Sequence, residues 1–426
     1  MKILQVASGD FFSTYGGGQV YVKNIVKELS SRDNLQISVI SFTKTNKVER
    51  KKLGSVEIIS ISDQSSFNLE EEIVAELKPD IIHVHAGEAE FSRIGRNLKI
   101  PIVVTCHHGG LLCPAGARLN YKGHICTRRI IHENCLPCVL KNTRTGLKLW
   151  YPFMMLVSEQ SYLKLGKLLK GRRFIPFITP VGTAASHIKR MGDYWNETAK
   201  KCSLMIAPCR AIGEAMVVNG LNEDKLRIIP HGIPLPKLRP VYPSIANKRI
   251  SFYYVGRICY IKGIHILLKA FHEINNDKIE LHLIGGAGNK SEQRYMSDLK
   301  RRYKSDKRVI WHGKVNPDQI FDLTKNFHIS IAPSICMEIY GLNIAEALAL
   351  GKPVVATRCG GGEMQIEDGK NGWLVEPNNV NALKEKIVFA IENKDLLPEM
   401  SKNCSAISIQ EHCDKLIELY SDLISR

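Results

Sequence analysis

The sequence predicts two doubly wound α/β lobes, and three observations carry that expectation. Short apolar runs rich in β-branched residues alternate with helix-period segments along most of the chain. The alternation lapses near Gly109, resumes ahead of a proline-punctuated stretch, and then begins again as a second series. The 426 residues are also too many for one ordinary hydrophobic core.

The first series opens with the strand-like run Lys2 to Ala7 and loop residues 8–18. In YVKNIVKEL, Val22, Ile25, Val26 and Leu29 fall on one helical face. LQISVISF, VEIISI, DIIHVH and IPIVVT then read as strands of a parallel sheet buried on both faces. From about Gly109 to Pro180 the rhythm breaks, with a cysteine-bearing insert at 106–140 and then a basic, apolar stretch. SLMIAPCR and LRIIPHGIPL close the lobe, and Pro234, Pro236, Pro240 and Pro243 mark a linker. The second series runs through ISFYYVGR, the helix LLKAFHEI, IELHLIGGAG, VIWHGKV, HISIAPS and KPVVAT. HCDKLIELYSDLI reads as an amphipathic helix. The expected domains are therefore 1–236 and 237–405, with 406–426 packing back on the first lobe.

Composition bounds the partners. A chain that is 44% hydrophobic and 24% charged is globular in type, and no run of eighteen apolar residues suggests a membrane span. The start MKILQVASGD reads as a core strand, not a signal peptide, so the expected compartment is the cytoplasm. The net charge of +17 favours an acidic partner: a phosphorylated substrate, anionic lipid or nucleic acid. No helix-turn-helix, RNA-binding strand motif or basic tail is present, so no nucleic acid is expected. Twelve cysteines without a secretory signal argue against a disulfide framework.

Three segments carry chemistry. Tyr15-Gly16-Gly17-Gly18 lies between a strand and a helix, where backbone amides can approach an anion at the helix start; a plain tight turn is the alternative. In VGRICYIKG, Arg257 and Lys262 can converge on a pyrophosphate, the arginine as a planar fork and the lysine as a point charge; two exposed surface cations are the alternative. In PSICMEIYGLNIAEALALGKPVVAT, the turn through Tyr340, Gly341 and Leu342 opens a helix. Glu338 lies in the loop before that helix and Glu346 inside it, and both can accept hydrogen bonds from sugar or ribose hydroxyls; capping and solvent exposure are the alternatives.

This last segment resembles the E-x7-E signature of the retaining GT-B glycosyltransferases of glycosyltransferase family 4, in the order Glu338, Gly341, Leu342, Glu346, Ala347 and GKPVVAT. The glycine loop at 16–18, HVH at 83–85, VVTCH ending in His107, IIPHGI at 229–233 and GRICYIKG extend the resemblance along nearly the whole chain. It implies a GT-B fold, two Rossmann-like lobes facing a central cleft. It also implies transfer of a sugar from a nucleoside diphosphate sugar, UDP- or GDP-linked, to an acceptor hydroxyl with retention. By that resemblance Glu346 binds the donor ribose and Glu338 the sugar hydroxyls. Arg257 and Lys262 neutralise the diphosphate, helped by the amides near Tyr340, Gly341 and Leu342 and by the loop at Gly16, Gly17 and Gly18. His107 sits at the sugar carbon, and it is the one histidine given a role. The family usually has small or aromatic residues where this chain has Ile339-Tyr340, which leaves donor preference open. The expected acceptor is a glycan or lipid-linked glycan in polysaccharide assembly. A non-catalytic scaffold and a basic nucleic-acid-binding protein are the rival readings.

Two features stand apart. Cys113, Cys126, Cys135 and Cys138, the last two a CxxC, could supply four thiolates to a structural zinc; reduced thiols or a local disulfide are the alternatives. No cofactor is expected for catalysis, since no DxD-like pair is evident. Residues 141–173 mix basic with aromatic and aliphatic side chains, which suits a helix lying on an anionic membrane surface as well as a core-facing helix.

Overall fold

A computed structural model of the protein describes residues 1–7, 9–12, 16–45, 47–141, 160–161, 164, 178–245 and 249–425. The chain divides into two compact units, Met1–Ile229 with Cys413–Arg426, and Pro230–His412. Each is a parallel-sheet α/β lobe.

In the first unit eight strands lie in the order β3-β4-β2-β1-β5-β6-β7-β8. These are β1 (Lys2–Val6), β2 (Gln36–Thr43), β3 (Glu49–Leu53), β4 (Val56–Ser62), β5 (Ile81–Val84), β6 (Ile102–Thr105), β7 (Leu204–Ala207) and β8 (Leu226–Ile228). Every residue of β5, β6 and β7 is buried, as expected of central parallel strands covered by helices on both faces. The helix Gly17–Leu29 buries the four apolar residues of its predicted face and adds Tyr21. Only β3 is antiparallel, pairing β4 at the sheet edge. Its residues ERKKL are all exposed, and their charges protect an open edge from pairing with another chain.

In the second unit six strands lie in the order β11-β10-β9-β12-β13-β14. These are β9 (Ile250–Val255), β10 (Ile279–Ile284), β11 (Val309–Gly313), β12 (Ile329–Ala332), β13 (Val354–Thr357) and β14 (Gly372–Val375), all parallel. The order turns back at β9, so the loops after β9 and β12 leave adjacent strands at a topological switch point, where open α/β sheets hold ligands.

The division between units falls after Ile229, ahead of the proline stretch. Ile233 is drawn into the second unit by two backbone hydrogen bonds: its amide donates to Ile407, and it accepts from Ile409. The helix Ile409–Ile424 is shared, its residues from Cys413 onward belonging with the first unit.

Candidate active site

In the second unit the loops after β9 and β12 meet because glycine lets them. Lys262 ends a short 3-10 turn, Tyr260–Lys262, and Gly263 follows at φ +70°. A Cβ on Gly263 would stand 1.8 Å from the Pro333 carbonyl oxygen, so only glycine allows this approach. The result is an ion pair, Lys262 Nζ to Glu338 Oε1 at 2.5 Å. The Ser334 hydroxyl donates to the same oxygen. The Glu338 amide donates to the Cys359 carbonyl at 2.6 Å, and Gly361 donates back to Glu338 at 3.1 Å, which fixes the loop.

Burial works against both charges. For Glu338, Lys262, the Ser334 hydroxyl and the nearby Arg257 outweigh it and hold the carboxyl below its ordinary range. For Lys262, burial is likewise overcome by Glu338, and the ammonium is held above its ordinary value. Arg257 is half exposed, with Nη1 3.6 Å from Glu292. The fold therefore brings together Arg257, Lys262 and Glu338, and adds Ser334 and Glu292. Neither was anticipated, because a serine four residues before a glutamate and a glutamate in a polar helix carry no distinctive pattern.

Gly341, at φ +84°, caps the helix Leu342–Ala349, and no side chain closes the cap. Glu346 sits within that helix, partly buried, and burial pushes its carboxyl up to about 7. Tyr340 is 3% exposed and packs with Ile233, Ala345 and His231, so the turn can offer a ligand its backbone but not this ring. Its carbonyl already accepts from the Gln365 side chain.

In the first unit, Gly16 caps the helix Gly17–Leu29 without a side-chain bond, and no acidic residue lies in the first turn. Tyr15 lies outside the described residues. A Cβ on Gly18 would sit 3.4 Å from the His107 Cβ, so the glycine loop and His107 adjoin. His107 Nε2 is 2.7 Å from His85 Nδ1, and His85 Nε2 is 2.8 Å from Gln5 Oε1. His85 and Gln5 were not given roles from sequence.

The four insert cysteines are free and partly buried. Among the described residues no group of three or more histidine, cysteine or acidic side chains is placed to hold a metal ion, so the thiols do not form a ready zinc site. Arg118, 1% exposed, lies among them and donates to the Leu112 and Arg128 carbonyls, tying together two parts of the insert. Most of the basic stretch 141–173 lies outside the described residues. Among the described residues no helix is long and apolar enough to cross a membrane.

Comparison with known proteins identifies the family. Residues 15–134 match the family model Glycosyltransferase Family 4, and residues 241–407 match Glycosyl transferases group 1. An uncharacterized glycosyltransferase of Methanocaldococcus jannaschii is 25% identical over 203 residues, 46% of this chain and about half (51%) of that one. The UDP-Gal:alpha-D-GlcNAc-diphosphoundecaprenol alpha-1,3-galactosyltransferase of Escherichia coli is 27% identical over 265 residues, 57% of this chain and 66% of that one. The Anabaena protein HepE, solved in complex with UDP-glucose, superposes with a TM-score of 0.66 at 17% identity, covering 99% of this chain and 100% of that one. The molecule is a GT-B glycosyltransferase. It belongs with the glycosyltransferases of family 4.

Proposed function

We propose that the protein transfers a sugar from a UDP- or GDP-sugar to a hydroxyl of a glycan or lipid-linked acceptor, with retention of anomeric configuration. The observation that carries this reading is the Lys262–Glu338 pair with Arg257 beside it, in the same unit as the uncapped helix that holds Glu346. Relatives bound to UDP-glucose or named for UDP-galactose transfer support a uridine donor. In the ligand-free protein Glu338 keeps Lys262 charged and in place. On donor binding Lys262 and Arg257 turn to the diphosphate, and Glu338 is released to sugar hydroxyls. The charge that grows on the leaving diphosphate then meets cations already positioned, which is transition-state stabilisation. Glu346 takes the ribose hydroxyls, and His107 attends the sugar. The departing diphosphate helps deprotonate the acceptor on the same face.

A lipid-linked acceptor fits the net charge of +17, which would hold the enzyme peripherally on an anionic membrane surface. The first test is a panel of UDP- and GDP-sugars scored for slow donor hydrolysis, with Glu346→Ala as control. Turnover of one donor that the variant abolishes supports the reading. No turnover and no nucleotide binding with any donor leaves a non-catalytic scaffold.

Catalysis in this scheme needs no metal. Zinc in the cysteine insert is a separate, structural proposal, in which side-chain rotation gathers the sulfurs and the metal braces the loop beside Arg118. Purified protein should then contain one zinc per chain, and well under one sets the idea aside.

A further inference from the structure

Parallel register places five polar side chains on one face of the first sheet. Gln5 pairs with His83, and His83 pairs with Val103. Side chains alternate along a strand, so His85, Thr105 and the approach to His107 share the face of Gln5 and His83. All but His107 are fully buried there, which obliges them to bond one another. His83 spans from the Thr105 hydroxyl at 2.7 Å to the Tyr420 hydroxyl at 2.5 Å, and its ring lies 4.2 Å from that of His85. His85 is thus wedged, with His83 on its face, Gln5 at one nitrogen and His107 at the other. Tyr21 closes the far side, its ring 4.9 Å from His107.

The chemistry of the end group sets the direction of the chain. With the Gln5 amide oriented so that its oxygen faces His85, that oxygen only accepts and His85 Nε2 carries the proton. A neutral His85 then has Nδ1 as its acceptor, and the bond to His107 requires that His107 Nε2 donate. We infer that Gln5 and His85 are positioning residues that hold His107 as the neutral Nε2–H tautomer, so that its Nδ1 acts as a hydrogen-bond acceptor toward the sugar hydroxyls. Because an amide takes up no proton, the chain ends at Gln5 and orients His107 without conducting protons. The closely spaced imidazoles reinforce this, since a charge on one opposes a charge on the next. This assignment rests on the proposed role of His107 in transfer, but its structural half is independent of any donor.

The test is a two-bond 1H–15N spectrum of protein labelled in its histidines, with His85→Asn and His107→Asn used for assignment. His85 and His107 are expected in the Nε2–H tautomer at pH 7.5. Gln5→Leu should turn His107 into a mixture of tautomers and lower kcat by about tenfold or more, with the donor KM within about threefold. Gln5→Glu, which keeps an acceptor oxygen, should restore the tautomer. An Nδ1–H His107 in the unaltered protein overturns the inference, as does a His107 spectrum that Gln5→Leu leaves unchanged. Should Gln5→Leu fail to fold, the spectrum of the unaltered protein still decides. A protein that turns over no donor yet gives the expected spectrum refutes the proposed function alone.

Discussion

Lys262→Met is expected to lower kcat/KM for the donor by roughly 100- to 1,000-fold, the size of effect that follows loss of one preorganised group facing developing charge. It should also destabilise the ligand-free protein. Glu338, with its side chain 13% exposed, would lose its ion-pair partner while keeping Ser334 and the more distant Arg257, and breaking a buried pair costs about 3 kcal/mol. The two losses have different origins, and a double variant separates them. Lys262→Met with Glu338→Gln removes both charges, so most of the stability should return while turnover does not. Urea midpoints and donor hydrolysis measured on Lys262→Met, Glu338→Gln and the double variant check this. A double variant as unstable as Lys262→Met would show that the pair acts through packing and not through charge.

Glu346→Gln should have the opposite profile, stabilising the protein while removing donor binding. Burial raises the Glu346 carboxyl to about 7 from an ordinary value of 4.5. Between those values the native state holds a proton that the unfolded chain has lost. The stability contributed by the neutral acid is therefore complete below about 4.5 and is lost as pH climbs through about 7. A glutamine avoids that loss. Relative to it, the unaltered protein should be less stable at pH 8 by at most ~3 kcal/mol, and equal to it at pH 4.5. Thermal melts at the two pH values measure the difference, and a pH-independent gap would contradict the assignment. Glutamine also donates where the carboxylate only accepts, so nucleotide affinity should fall in the same variant. A site residue whose removal stabilises the fold is the signature of a group held for a ligand.

Most of the architecture was legible because buried parallel strands must be written as apolar runs, and β1, β5, β6, β9, β12 and β13 are. Two strands were not. β3 consists of Glu49, Arg50, Lys51, Lys52 and Leu53, whose charges follow from protecting an edge and erase any apolar pattern. β14 is four residues long and begins at Gly372, where a Cβ would lie 2.2 Å from the Val354 carbonyl oxygen. Its signal is close packing, which leaves little trace in one sequence. At the candidate site, Arg257, Lys262, Glu338 and Glu346 were singled out through the family resemblance, since type and spacing alone left surface cations and capping glutamates as alternatives. The ion pair was not, since its partners stand 76 positions apart and meet only because Gly263 admits the Pro333 carbonyl. Gln5 and His85 were hidden for the same kind of reason: their contact follows from strand order, β1 beside β5. The burial of the Tyr340 side chain was not legible, for an aromatic residue beside a turn can serve the core while the turn keeps its backbone for a ligand.

The shared helix Ile409–Ile424 has a consequence for how the molecule is made. Tyr420 closes the buried histidine face of the first unit, yet it lies 337 positions after His83, with the whole of the second unit between them. During synthesis the first sheet therefore cannot gain Tyr420 until the second unit has been made. Closing so long a loop is entropically costly and slow. The second lobe can reach its native state first, and the lobe that begins the chain is the last to be completed.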